Sequence, residues 1–170
     1  PDQSATSRML TDLATALATR RGFRGRVVGA DFALPMLRHG ARKPPADRVD
    51  RVAADTLELP FGEGSFDGAI VGFGIRNLAD LDAGLRELGR ILRTGRRLVI
   101  LDFATPRHAL LRVAYLFYFH RVLPVIGRIV SGHPTAYAYL PESVKEFPAP
   151  GALRARLEAA GFHDCGFDLL

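Results

Sequence analysis

"SFDGAIVGFGIRNLADLDAGLRELGRILRTGRRLVILDF", residues 65–103, decides the fold. It opens on a continuous apolar run, 66–75, of the kind seen in strands buried on both faces. Residues 80–95 then place Leu81, Leu85, Leu88 and Leu92 at helical spacing. A second apolar run, 96–103, reads as another buried strand. Strand, helix and strand in this order predict a parallel pair joined by a helical crossover. Between the first strand and the helix the chain presents Arg76 and Asn77 side by side. A guanidinium and an amide at the end of a buried strand call for a reason.

Working outward, 13–22 reads as a helix ended by Gly22, and 25–32 as a short buried strand that stops at Asp31. A short helix over 34–43 is stopped by Pro44 and Pro45. Residues 51–61 give a strand followed by an irregular stretch, and 62–65 a turn. This alternation predicts an α/β protein: a doubly wound, mostly parallel sheet in a single domain. Residues 104–150 break the alternation and read as a helical lid insertion, and 152–162 returns to a helix with a glycine stop at Gly161. Ligands of such sheets sit at the C-terminal ends of the strands. Asp31, Asp55, the Gly72–Asn77 stretch and Asp102 all fall at or just beyond those ends, which predicts a site along that edge.

Composition narrows the function. The chain of 170 residues is 48% hydrophobic and 24% charged, ordinary for a globular domain with a real core. A single cysteine, Cys165, excludes an internal disulfide and favours a reducing, cytoplasmic setting. The five histidines are scattered without ligand spacing, so no metal site is expected. The net charge of +5 comes from arginines spread along the whole chain, with no nucleic-acid-binding motif, and nucleic acid is not expected as a partner. The first ten residues are polar, unlike a secretory signal. The most apolar stretch, 109–130, is interrupted by Arg112, His120, Arg121 and Arg128 and does not qualify as a spanning helix.

Each candidate residue carries a plain reading beside a functional one. Asp31 suits an acceptor for ribose hydroxyls, and equally a cap for the helix that follows. Asp55 and the backbone near Thr56 can meet an adenine ring, although an aspartate in a turn more often accepts from its own backbone. Asn77 can cap the helix beginning near Asp80, and Arg76 can pair with a nearby carboxylate. Gly72 and Gly74 allow a ligand close to the backbone. Against the nucleotide reading, no glycine-rich turn precedes the first helix, because 1–21 contains no glycine. A stretch carrying it is expected to be missing at Leu10–Thr11.

Taken together, "FGIRN", "RVLP", "YLPES", "EFP" and "ALRARLEAAGF" resemble the ubiquinone/menaquinone biosynthesis C-methyltransferases over about residues 11–170. The resemblance implies a Rossmann-like class I methyltransferase fold and S-adenosylmethionine (SAM) as cofactor. It implies SAM contacts at Asp31 (ribose), Met36 (near the adenine), Asp55 and Thr56 (adenine) and Gly72. Thr11 falls at the last glycine of the family's Gly-Thr-Gly-Asp loop. Four departures stand out. The glycine loop with its strand, and a C-terminal strand pair, have no counterpart. "LRTGRR" replaces Lys-Pro-Gly-Gly-Arg, and Asp102 replaces a frequent Glu.

The implied reaction is C-methylation of a polyprenyl quinol, demethylmenaquinol before the benzoquinol of the ubiquinone pathway. Ring attack needs an electron-rich ring, so the implied roles are phenolate stabilisation by Arg76 and placement of a water or quinol oxygen by Asn77. Arg76 is not itself a base, since guanidinium stays protonated. Base candidates are His120, His133, Tyr137 and Tyr139. The expected partners are the quinol, an anionic membrane surface met peripherally through 109–130, and a second copy in a homodimer, an arrangement the sequence leaves open. A non-catalytic binding protein on the same fold, without its SAM loop, is the competing expectation. A nucleotide-dependent oxidoreductase is disfavoured by the missing glycine fingerprint.

Overall fold

The computed structural model describes residues 24–40, 49–103, 117 and 147–169. Strand β1 (Val27–Asp31) leads into helix α1 (Leu34–Gly40), and β2 (Val49–Ala53) follows. Strand β3 (Phe66–Gly72), a 3-10 turn at Ile75–Asn77, helix α2 (Leu81–Ile91) and β4 (Leu92–Leu101) form the next unit, and α3 (Pro150–Ala159) closes the order. The helix expected over 13–22 and the lid expected over 104–150 lie outside the described residues, apart from Phe117 and the last few positions.

Both strand pairs are parallel, as the crossover reading requires. β1 pairs with β2 from Val27↔Val49 to Asp31↔Ala53. β3 pairs with β4 from Gly68↔Arg97 to Gly72↔Leu101, with the register slipping between Phe66 and Gly68. Among the described residues these remain two two-stranded sheets and not one continuous sheet.

The core explains the helix. Leu85 and Leu88 of α2, with Ile91, Ile75 and Leu59, form one buried cluster. Val71, Leu98 and Ile100 pack on it from the sheet, and Leu153 and Leu157 from α3. Asp80 caps α2, its Oδ1 accepting from the backbone N–H of Ala83 at 2.9 Å. The capping residue is therefore Asp80 and not Asn77, which stands three residues too early.

Three expectations about this unit need correction. The apolar run 66–75 does not stay extended: β3 stops at Gly72, and Phe73 takes a φ of 55°, turning the chain into the 3-10 turn. Leu92 belongs to β4 and not to the helix. It is buried as Phe66's strand partner, and sheet pairing overrides its helical spacing. The β3–β4 sheet is also not covered on both faces by described residues. Residues of the face opposite α2 stay open, with Ile70 42% and Val99 51% exposed. Elsewhere the expected bounds shift by a few residues, as at β2, which begins at Val49 and not at Arg51.

Candidate active site

Residues of both sheets line a common cleft of about 1420 Å³. Its walls include the consecutive residues Gly25–Ala33, which cover β1, and Ser65–Ala79, which cover β3 and the 3-10 turn. Among the described residues β1 pairs only with β2, and β3 only with β4. Asp31, Asp55, Thr56, Gly72, Arg76 and Asn77 all line this one cleft, so the structure brings together six of the eight residues singled out from sequence. Met36 lies on α1, and nothing is described of its side chain; Thr11 lies outside the described residues.

The two acids are locally tethered: Asp55 as its plain reading anticipated, and Asp31 to the residue ahead of α1 and not as the cap of that helix. Asp31 Oδ1 accepts from the backbone N–H of Ala33 at 2.8 Å, just ahead of α1. Asp55 Oδ1 accepts from the N–H of Leu57 at 2.9 Å. One oxygen of each carboxylate is used this way, which fixes the side chain and leaves the other oxygen as an acceptor on a cleft-lining residue. Acceptors so placed fit a ligand with hydroxyl and amine donors, such as a nucleoside.

The turn carrying Asp55 and Thr56 is held to α2 from outside. Glu87 Oε1 accepts from the N–H of Leu59 at 2.8 Å. Arg90 donates to the carbonyls of Phe61 and Leu59 at 2.8 and 3.2 Å, and clasps Glu87 through both carboxylate oxygens at 2.7 Å. The Arg90 guanidinium, together with the Leu59 N–H, holds the Glu87 carboxyl below its ordinary value against the opposing effect of burial. Neither residue stood out in the sequence, because a glutamate and an arginine three apart on a helix look like any exposed pair.

The most informative cluster surrounds Arg76. Its side chain is 2% exposed and forms an ion pair with Asp102, itself 3% exposed. Asp102 Oδ1 takes both Arg76 Nη1 and the backbone N–H of Phe103, the latter at 2.8 Å. The rings of Phe103 and Phe73 lie 5.4 and 6.0 Å from the guanidinium carbon, and 4.9 Å from each other. The parallel register explains the meeting: Gly72 pairs with Leu101, so the residues just beyond both strands emerge together. Asn77, by contrast, is exposed. Sequence reasoning placed Asp102 on the correct edge but missed it as Arg76's partner, and it missed both phenylalanines. The available signal was that both follow the C-terminal ends of adjacent parallel strands, Asp102 one residue past Leu101 and Arg76 four past Gly72.

Parallel strands with acids at their C-terminal ends, opening on one cleft, are the architecture of the class I methyltransferases. Solved structures agree at the level of fold. The trans-methyltransferase CalH, in complex with SAH, superposes with a TM-score of 0.63 at 19% identity, covering 93% of this chain and 42% of that one. A SAM-dependent methyltransferase from Aquifex aeolicus gives 0.56 at 15% identity, covering 95% and 82%.

Sequence comparison is more specific. The profile of the ubiE/COQ5 methyltransferase family matches residues 7–170, and the chain belongs to that family. The demethylmenaquinone methyltransferase of Thermus thermophilus is 51% identical over 138 residues, covering 80% of this chain and 63% of the relative. The corresponding enzyme of Roseiflexus sp. is 42% identical over 146 residues, covering 86% and 61%. The ubiquinone/menaquinone biosynthesis C-methyltransferase UbiE of Geotalea uraniireducens is 42% identical over 163 residues, covering 93% and 69%. The chain thus spans a little over three fifths of the first two relatives' length.

Proposed function

We propose that this chain binds SAM in the cleft between the two sheets and methylates a ring carbon of a quinol, demethylmenaquinol before the benzoquinol. The single observation that carries the reading is the convergence of Asp31, Asp55, Thr56, Gly72 and Arg76 on one cleft. The relatives' names supply the substrate, and two of the three name demethylmenaquinone alone.

Asp31 would accept from the ribose, Asp55 and the backbone at Thr56 would meet the adenine, and Gly72 would admit the cofactor against the strand. Thr11 and Met36 complete the cofactor set on the family resemblance alone. SAM supplies the electrophilic methyl group when bound. The protein then has to hold the ring in line and raise its electron density. In this reading Arg76 stabilises negative charge on the ring oxygen, and Asn77, exposed at the cleft, positions that oxygen or a water. Peripheral contact with an anionic membrane and a homodimer belong to the same proposal, the first resting on the sequence of 109–130. Among the described residues no helix is long and apolar enough to cross a membrane.

Calorimetric titration with SAM, followed by methyl transfer to a short-chain demethylmenaquinol, tests the reading. The wild-type chain is expected to bind SAM and to turn over. Arg76→Ala should keep SAM affinity within a factor of about three while turnover falls about a hundredfold or more, the scale of a lost transition-state donor. Unchanged turnover in that variant removes the role of Arg76. SAM binding without transfer would favour the non-catalytic binding protein.

A further inference from the structure

One residue of the cleft has a backbone that its side chain does not favour. Phe73 stands between Gly72 and Gly74 and takes a φ of 55°, in the left-handed region that bulky side chains rarely enter. Neither neighbouring glycine uses that freedom: Gly72 ends β3 as a strand residue, and Gly74 has a φ of −106°. The Phe73 N–H bonds the carbonyl of Leu101 at 2.8 Å, so the turn begins while the chain is still fastened to β4. Glycine would take this conformation without strain. A phenyl ring here therefore calls for its own reason.

Core packing does not provide it. The hydrophobics packed on the buried cluster include Phe61, Phe66 and Phe147 but not Phe73. Phe73 is half-buried and lines the cleft. Its ring meets the Phe103 ring at 4.9 Å, tilted by 46°, and the Arg76 guanidinium carbon lies 6.0 Å from its centre. Along the chain Phe73 follows Gly72, which meets the cofactor in the reading above, and precedes the 3-10 turn that carries Arg76. Backbone held in a disfavoured region gathers at binding and active sites, where the surroundings hold it in place.

We infer that Phe73 is the residue that selects a planar aromatic substrate: its ring forms the wall of the cleft on which the quinol ring lies, between the cofactor and Arg76. The inference rests on the quinol reading above and adds a specificity-determining residue to it. Offset or edge-on contact between two rings favours an aromatic ligand over a saturated one of similar apolar area. The Phe73 backbone is pinned by Leu101 and its ring is braced by Phe103, so little freedom is lost when the ligand arrives.

The test compares a prenylated naphthohydroquinone with its ring-saturated decalindiol counterpart, which keeps the hydroxyls and the tail but has no π face. Binding of each to the full chain is measured by anaerobic calorimetry. The wild type should prefer the aromatic ligand by about threefold to tenfold, the range of one aromatic contact. Phe73→Leu keeps the apolar bulk and should bring the two affinities together. The variant isolates the ring, because the two ligands differ in hydroxyl acidity by the same amount for both proteins. Phe73→Tyr should keep the preference. SAM affinity should stay at the wild-type value in both variants.

Equal affinity of the wild type for the two ligands overturns the inference without any variant having to fold. So does a Phe73→Leu chain that discriminates as the wild type does. A Phe73→Leu chain whose SAM affinity falls in step with its quinol affinity also overturns it, and makes Phe73 a support of the turn and not a wall for the substrate. A wild type that binds SAM but neither ligand overturns the quinol reading itself, and the inference with it.

Discussion

The two walls of the cleft are built to different standards. The β3–β4 wall rests on α2, eleven residues long, whose Leu85, Leu88 and Ile91 are buried with Ile75, Leu59 and Leu92. On the β1–β2 side α1 has seven residues, and among the described residues only Val49 is a buried hydrophobic. Among the described residues α1 is too short to offer an apolar stripe that covers a sheet, and two-stranded sheets are marginal by themselves. The proposed chemistry at Arg76 thus stands on the firm wall, and the ribose acceptor Asp31 on the soft one. The turn bearing Asp55 follows β2 in sequence, but Glu87 and Arg90 fasten it to the firm side. Cofactor recognition therefore straddles the division.

Truncating one buried side chain on each wall tests this contrast most strongly. Leu85 is completely buried, and Leu85→Ala should cost about 2–5 kcal/mol. Val49→Ala should cost only about 1.5 kcal/mol, the transfer energy of two methyl groups, since its neighbours can relax. Urea denaturation measures both. Equal losses would mean that the β1–β2 wall is packed as tightly as the other.

The contrast also separates what could be read in the sequence from what could not. The unit 65–103 was legible because leucines at helical spacing between two apolar runs have few other solutions. Its boundaries were not, since Leu92 satisfies a helix stripe and a strand equally until Phe66 pairs with it. The site was legible as an edge: Asp31, Asp55, Gly72 and Arg76 were placed by strand ends alone. The pairing of Arg76 with Asp102 needed the register, which a sequence does not print. The clasp of Glu87 and Arg90 needed the fold of a turn some thirty positions upstream.

That clasp provides the second test. Glu87→Gln keeps the shape and an acceptor for the Leu59 N–H but removes the charge that grips Arg90. The expected loss is roughly 1–2 kcal/mol at neutral pH, with SAM affinity reduced severalfold because the Asp55 turn loosens. The pH dependence has a defined sign. Arg90 depresses the folded-state pKa of Glu87, so its stabilisation is complete above the unfolded glutamate value. It is lost as pH falls through the lower, folded value. Wild type and variant should therefore converge in stability in acid, followed by denaturation at a series of pH values. A constant gap down through that range would show that the charge contributes nothing and that the turn is held by packing.

The smallest expected effect probes how rigid the firm wall is beside Arg76. Gly84 is buried in α2, and a Cβ built there would lie 2.5 Å from Cδ1 of Leu78 and 3.6 Å from Cδ2 of Leu57. Leu78 follows the 3-10 turn directly, its N–H bonded to the carbonyl of Ile75 at 3.3 Å. Alanine in a helix interior gains about 1 kcal/mol over glycine, and the clash falls on the end of a flexible side chain. If Leu78 can rotate, Gly84→Ala should leave stability within about 0.5 kcal/mol of wild type and turnover unchanged. If it cannot, overpacking costs about 1–3 kcal/mol, and the strain passes along the turn to Arg76. Turnover would then fall while SAM affinity at Asp31, on the other wall, stays as it was. That split would show the firm wall to be tight up to the guanidinium, with the two walls answering separately to the same substitution.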